Sequence, residues 1–405
     1  MNITARPPAP RVDANTKILA VSLFALAMGE ELWQAYMPAY LTALGASGIA
    51  VGLFGSSKDL LDSAYQLPGG WLTDRLGHRR ALLTFTAVAG AGYVIYAAAP
   101  SWPIVIVGLI AVMAWKAGAF PTTFAVIGEA LPAARRATAF AVQSVLVRVP
   151  RVVAAPIGGI AIASMGLLAG VRTTCAITAA IALAVWCVQY RSLHERAVVE
   201  RPSTVRSLRP DKVPLPLRRL LAADCVVRIG EGLAASFIVL YVTEVSRASI
   251  EFFGVLYAIQ QAVAIAFYLP GGRLADLAGR RWVIAMTFLF FAAFPLAVRT
   301  AAGDAQLVLA FVIGGLKEIG EPARKSLILD LAPVDRRGST VGVYYAVRNA
   351  LVVPAGLAGG LLWQQDHTLP LEAAGIVCLA GLVVFLVVTR PQSTSFTSSP
   401  SSRTS

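Results

Sequence analysis

Apolar stretches long enough to cross a bilayer recur from about residue 17 to about residue 389, separated by short loops rich in basic residues. A hydrocarbon layer about 30 Å thick takes roughly 20 helical residues, and inside it each backbone N–H and C=O must find its partner within the protein. The chain therefore reads as an all-α membrane protein of twelve transmembrane helices. We place them at 17–44, 48–73, 81–100, 103–131, 137–164 and 168–190, then at 217–246, 250–275, 282–302, 305–332, 338–364 and 369–389. Hydrophobic types make up 57% of the 405 residues and charged types 14%, against about a quarter charged in soluble domains. A soluble helical protein with so many full spans would have no water-facing surface left. The first apolar run continues from Lys17 to about Leu44 without a small-residue cleavage site, so it reads as a span and not a signal peptide.

The net charge of +13 is placed by topology. Arg75, Arg79 and Arg80, Arg135 and Arg136, Arg280 and Arg281, and Arg336 and Arg337 crowd alternate loops, and further basic residues run from Arg191 through Arg219. The intervening loops carry few. That alternation is the positive-inside pattern, which puts both termini and the central linker in the cytoplasm and gives no reason to invoke nucleic acid. Cys175, Cys187, Cys225 and Cys378 fall singly within apolar spans, and His78, His194 and His367 fall at loop positions. Neither set has metal-ligand or disulfide spacing, so no metal is expected.

The two halves repeat. Leu67-Pro68-Gly69-Gly70-Trp71-Leu72-Thr73-Asp74 returns as Leu269-Pro270-Gly271-Gly272-Arg273-Leu274-Ala275-Asp276, and Pro132 with Arg135 and Arg136 returns as Pro333 with Arg336 and Arg337. A period of about half the chain marks a duplicated six-helix unit. The expected organisation is a cytoplasmic N-terminal tail at 1–16, one six-helix bundle at 17–190, and a linker at 191–216. A second bundle follows at 217–390, related to the first by a pseudo-two-fold axis, and then a disordered tail at 391–405.

These features resemble the major facilitator superfamily, and within it the bacterial drug and metabolite efflux members. The carrying motif is Gly70-Trp71-Leu72-Thr73-Asp74-Arg75-Leu76-Gly77-His78-Arg79-Arg80, similar to that family's loop between helices two and three, with His78 in place of the usual Arg. The second copy keeps Asp276, Gly279, Arg280 and Arg281 and has Leu277 at the first basic position. The resemblance implies a cytoplasmic gate that holds one state and breaks when the halves rock, with Glu129 and Asp330 as candidate partners for the gate residues. The alternative is that these charges only fix topology. Pro156-Ile157-Gly158-Gly159 in helix five is similar to the end of the drug–proton antiporter signature, with Ala155 where that signature has Gly. Proline and small residues in a membrane helix can equally mean close packing or a kink.

An ionisable side chain at mid-membrane depth costs about 2.5–3.5 kcal/mol on insertion scales, so each needs a partner or a wet cavity. Glu30 recurs as Glu231, Lys116 as Lys317, and Arg148 as Arg348, all about halfway along their spans. Arg151, Asp59, Asp62 and Glu321 join them as candidate substrate- or proton-binding residues. Asp224, Arg228 and Glu231 share a face of helix seven at spacings of four and three, and Lys317, Glu321 and Arg324 form a similar stripe on helix ten. Of the adjacent pair Glu30 and Glu31, the repeat favours Glu30 for the cleft. Three readings stay open: the bases bind an anionic substrate, the acids carry a coupling proton, or the charges neutralise one another. Trp33, Tyr36, Tyr65, Trp115, Phe120, Tyr257, Tyr344 and Tyr345 could line a pocket or simply pack. No phosphate-binding loop and no catalytic constellation is present, so neither an enzyme nor a cofactor is expected. The function this implies is proton-coupled efflux of a small organic molecule by a monomer in a bacterial inner membrane. Its alternatives are uptake or exchange of an organic anion, and lipid translocation or sensing on the same fold.

Overall fold

The computed structural model describes residues 14–115, 133–193, 213–333 and 337–389; for 14–17, 66–74, 78, 133–147, 269 and 337–339 it describes the helix but not the side chains. The first half contains α1 (Ala14–Glu31), α2 (Met37–Ala43), α3 (Gly48–Leu76), α4 (His78–Ala98), α5 (Trp102–Trp115), α6 (Ala133–Met165) and α7 (Leu167–Ser192). The second contains α8 (Leu215–Ala235), α9 (Ile238–Val245), α10 (Ile250–Ala278), α11 (Arg280–Thr300), α12 (Asp304–Leu316), α13 (Glu321–Leu331), α14 (Arg337–Gln365) and α15 (Leu369–Val388). Taking α1 with α2, α8 with α9 and α12 with α13, the described helices form six successive segments in each half. Among the described residues seven helices are long and apolar enough to cross a membrane, or eight if the bent pair α8–α9 is one span. Two of the others miss that test for visible reasons: α3 carries Lys58, Asp59 and Asp62, and the tenth span is cut in two.

Three spans expected as single helices are broken. The first stops at Glu31, makes a 3-10 turn at Gln34–Tyr36 and restarts at Met37. The seventh bends by 42° after Ala235. The tenth stops at Leu316 and restarts at Glu321. Pro38 and Pro322 stand in the first turn of the restarting pieces, where a residue without an N–H costs nothing. The tenth-span break is also electrostatically consistent. Lys317 caps the negative end of α12 and Glu321 opens the positive end of α13.

Two of the basic loops are shorter than the sequence suggested. Gly77 at φ 79° and Gly279 at φ 88° turn the chain between α3 and α4 and between α10 and α11 in one residue. Left-handed backbone of this kind favours glycine, and both copies of the motif supply it. His78 therefore opens α4 instead of sitting in a loop, and His367 stacks on Trp363 with ring centroids 4.4 Å apart. His194 lies outside the described residues.

Small residues bring the helices together, as packing in lipid requires when no hydrophobic force acts between spans. A Cβ at Gly158 would lie 1.9 Å from the Leu32 carbonyl oxygen, and one at Gly359 would lie 2.1 Å from that of Leu233. These are the same contact in the two halves, the fifth segment of each pressed on the break of its first. Between the halves, α3 packs on α14 and α6 on α10. Cβ atoms at Gly52 and Gly360 would fall 2.3 Å and 2.5 Å from the carbonyl oxygens of Gly356 and Gly48. Gly254 of α10 faces the Tyr36 hydroxyl and Gly55 of α3 faces Ser236. These inter-half contacts lie toward the end of the bundle away from the termini, and there the halves meet backbone to backbone.

Replacing Gly158 or Gly359 with Val should lower the thermal midpoint in detergent by the equivalent of about 1–3 kcal/mol or more, the usual cost of overpacking. Gly272, where an added Cβ meets nothing within 4 Å, should accept Ala without loss. Equal melting of all three variants would show that these contacts do not hold the helices.

Candidate functional site

The two halves enclose a central cavity of about 270 Å³. The broken spans build it. The first contributes Glu30, Trp33 and Gln34, the seventh Glu231, Ser236 and Ile238, and the tenth Phe311 and Lys317. Phe54 and Lys58 enter from α3, Tyr96 from α4, Phe253 and Tyr257 from α10, and Phe291 and Phe294 from α11. An apolar, largely aromatic wall with a few convergent charges is the usual composition of a small-molecule site.

The wall is cross-braced. The Trp33 indole N–H donates to Thr178 at 3.1 Å, whose own hydroxyl lies 2.7 Å from the Gly29 carbonyl. Trp33 also meets Tyr96 edge-on at 5.3 Å. Glu30, 5% exposed, accepts a 2.6 Å hydrogen bond from the Tyr93 hydroxyl. Its neighbour Glu31 turns to α6 and pairs with Arg151 at 2.9 Å. The two adjacent acids thus separate as helical geometry demands, one to the cavity and one to a neighbouring helix.

Further charges among the described residues form two networks around the tenth-span break. Glu231 is held by Lys317 at 2.7 Å and, through its other oxygen, by Arg228. Deeper in the second half, Arg324 pairs with Asp224 and Glu321, and Asp224 also accepts a 2.9 Å bond from the Tyr344 hydroxyl. Arg348 lies 3.6 Å from Asp224 and 4.6 Å from the Tyr345 ring centroid. Arg148 crosses between the halves to Glu318, 2.9 Å away. The expected anion forks, Arg148 and Arg348, are therefore engaged in ion pairs and do not line the cavity; among the described residues the bases that do are Lys58 and Lys317. The stripe expected on helix ten is likewise split. Lys317 faces the cavity while Glu321 and Arg324 belong to the inner network, because the break turns the chain between them. Lys325 is half-exposed and pairs with Glu321. Asp59 is partly buried and Asp62 exposed. Lys116, Phe120 and Glu129 lie outside the described residues.

The sequence profile of the Major Facilitator Superfamily matches this chain twice, over residues 19–224 and 220–405. The chain belongs to that superfamily. NorA of Staphylococcus aureus, named a quinolone resistance protein, is 24% identical over 143 residues, covering 35% of this chain and 36% of NorA. YqjV of Bacillus subtilis, an uncharacterized MFS-type transporter, is 29% identical over 168 residues, 39% of each protein. These matches span little more than a third of the relatives' own length. Among solved structures the nucleoside transporter NupG superposes with a TM-score of 0.73 over 93% of this chain and 99% of its own, at 11% identity, a likeness of fold alone.

The superfamily loop braces each half internally among the described residues. Arg79 donates to the Tyr190 carbonyl at 2.7 Å and lies over the Tyr190 ring, so the base of α4 is tied to the last turn of α7. Arg281 does the same from α11 to the Leu386 carbonyl of α15 at 2.8 Å. Both satisfy a carbonyl at a helix C-terminus, where a cation is favoured. Arg280 pairs with Asp330 within the second half, and Arg75, Arg80 and Asp276 are exposed. The side chains of Gly70's segment, Asp74 included, lie outside the described residues. In the helix-five signature Gly158 and Gly159 are contact points for Leu32 and for Ile250 and Glu251, and Ala155 accepts the Tyr36 hydroxyl. Sequence reasoning missed the aromatic wall of Phe54, Tyr96, Phe253, Phe291, Phe294 and Phe311. An aromatic residue in an apolar span carries no mark that separates a cavity wall from a lipid-facing ring.

Asp224→Asn, which leaves Arg324 and Arg348 facing a neutral amide in a fully buried position, should cost about 3–5 kcal/mol of stability, as broken buried pairs do. Arg280→Ala, which removes a pair whose side chains are 40% and 54% exposed, should cost under about 1 kcal/mol. Thermal melts of the two variants in detergent check the contrast, and similar midpoints would count against it.

Proposed function

We propose that this protein is a secondary active transporter that moves a small organic molecule through the central cavity by alternating access. In this reading it exports the compound from a bacterial cell across the inner membrane in exchange for protons, with both termini in the cytoplasm. The observation that carries it is the cavity itself: both halves wall it, and beyond it toward the end away from the termini they meet through glycine contacts that separate without breaking a covalent or metal link. Two bodies that touch through such an edge can rock about a fixed mid-membrane site. The outward direction is supported by the helix-five signature and by the partial similarity to a quinolone resistance protein.

Glu30 is the group we assign to the proton. It is buried, lines the cavity and accepts a hydrogen bond from the Tyr93 hydroxyl. Glu231 is held by both Arg228 and Lys317, and protonating it would leave two buried cations short of their counter-ion. A second reading, movement of an organic anion, is favoured by the presence of Lys58 and Lys317 in the wall.

In proteoliposomes with an interior pH dye, Glu30→Gln should abolish substrate-driven proton movement while changing substrate binding by less than about tenfold, or 1.4 kcal/mol. Proton movement that survives in Glu30→Gln would remove Glu30 from this role. Anion transport without proton movement would establish the second reading instead.

A further inference from the structure

The break in the tenth span delivers Lys317 into a set of groups that recognises cations. Its ammonium lies 2.7 Å from Glu231 Oε1, 5.1 Å from the Phe291 ring centroid and 5.7 Å from that of Phe294. All four side chains line the cavity. A cation within about 6 Å of an aromatic face is attracted by the ring quadrupole, more strongly where water is excluded, and a carboxylate adds a full opposing charge. Two rings and an acid at these distances form a site for an organic ammonium. Here its occupant is the chain's own lysine, 14% exposed and held from three directions.

Arg228 also holds Glu231 by its other oxygen, so the acid is paired on both sides. A cationic compound reaching this subsite finds it filled by Lys317. A neutral or anionic compound meets the aromatic wall and an ammonium whose hydrogens it can share. In the first half the third segment, α4, supplies Tyr93, whose hydroxyl donates to the cavity acid Glu30, where the third segment of the second half supplies Phe291 and Phe294.

We propose that Lys317 is a tethered cation that occupies the ammonium subsite formed by Glu231, Phe291 and Phe294, and that it restricts the cavity to small aromatic or amphipathic compounds without net positive charge. This rests on the central cavity being the substrate site, as in the functional reading above. Lys317→Met removes the occupant and leaves Glu231 bonded to Arg228, so the subsite keeps its walls and an external cation restores the original charge count.

The test is equilibrium binding to the purified full-length protein in detergent, by calorimetry, which does not depend on transport. The probes are 3-phenylpropylammonium and the size-matched neutral 3-phenylpropanamide. Wild type should bind the amide at least about tenfold more tightly than the ammonium. Lys317→Met should gain about tenfold or more for the ammonium; Lys317→Arg should gain nothing, and adding Glu231→Gln to Lys317→Met should erase the gain. Equal affinity of wild type for the two probes would overturn the proposal, as would a folded Lys317→Met that binds the ammonium no better than wild type. If Lys317→Met does not fold, the wild-type comparison decides alone. A gain in Lys317→Met with neither proton nor solute movement by wild type in liposomes would sink the transport reading and leave the subsite standing. Proton movement without that gain would do the reverse.

Discussion

Inside a bilayer a charge must be met by an opposite charge or by water, at a cost of about 2.5–3.5 kcal/mol if it is not, and the arrangement of this bundle follows from that rule. Asp224, Glu231, Lys317, Glu318 and Arg324 all lie where the seventh and tenth spans approach each other or the first half. Their pairings act as cross-links between helices that have no hydrophobic reason to prefer one another over lipid. The break in the tenth span lets one segment serve two networks. Lys317 reaches the cavity from its upper piece, and Arg324 reaches Asp224 from its lower one.

The duplicated unit keeps its shape more faithfully than its chemistry. Gly158 on Leu32 and Gly359 on Leu233 are the same backbone contact. Arg79 on the Tyr190 carbonyl and Arg281 on the Leu386 carbonyl are the same tie. Both are geometric devices, and two copies of a six-helix unit need both. The third segments differ beside the cavity acids: α4 gives Glu30 the Tyr93 hydroxyl, whereas α11 sets Phe291 and Phe294 against Lys317, the partner of Glu231. In the function proposed above, two like bodies rock about one site, so hinges and seals need symmetry while substrate and proton need distinct places.

How far the sequence reaches is clearest at the ends and at the middle of the spans. The number and order of the helices were legible, because a run of about 20 apolar residues has one stable state in hydrocarbon, and the motif placed a loop between helices two and three where the chain turns in a single residue, Gly77. The separation of Glu30 from Glu31 was legible too, since adjacent helical positions point about 100° apart. The breaks were not: Pro38 and Pro322 fit either the first turn of a restarting helix or a kink in a continuous one.

By itself, then, the sequence determined that the chain spans a membrane as two related six-helix units with buried charge at mid-depth, since hydropathy, repeat and position along a span are properties of the chain alone. Which charges meet was decided only by the tertiary structure. Arg148 goes to Glu318 and Arg348 to the Asp224 network, while Lys317 goes to Glu231 beside two phenylalanines. Pairing depends on where the broken spans aim their side chains across the bundle, and contacts between residues 86 to 170 positions apart leave no trace in local spacing.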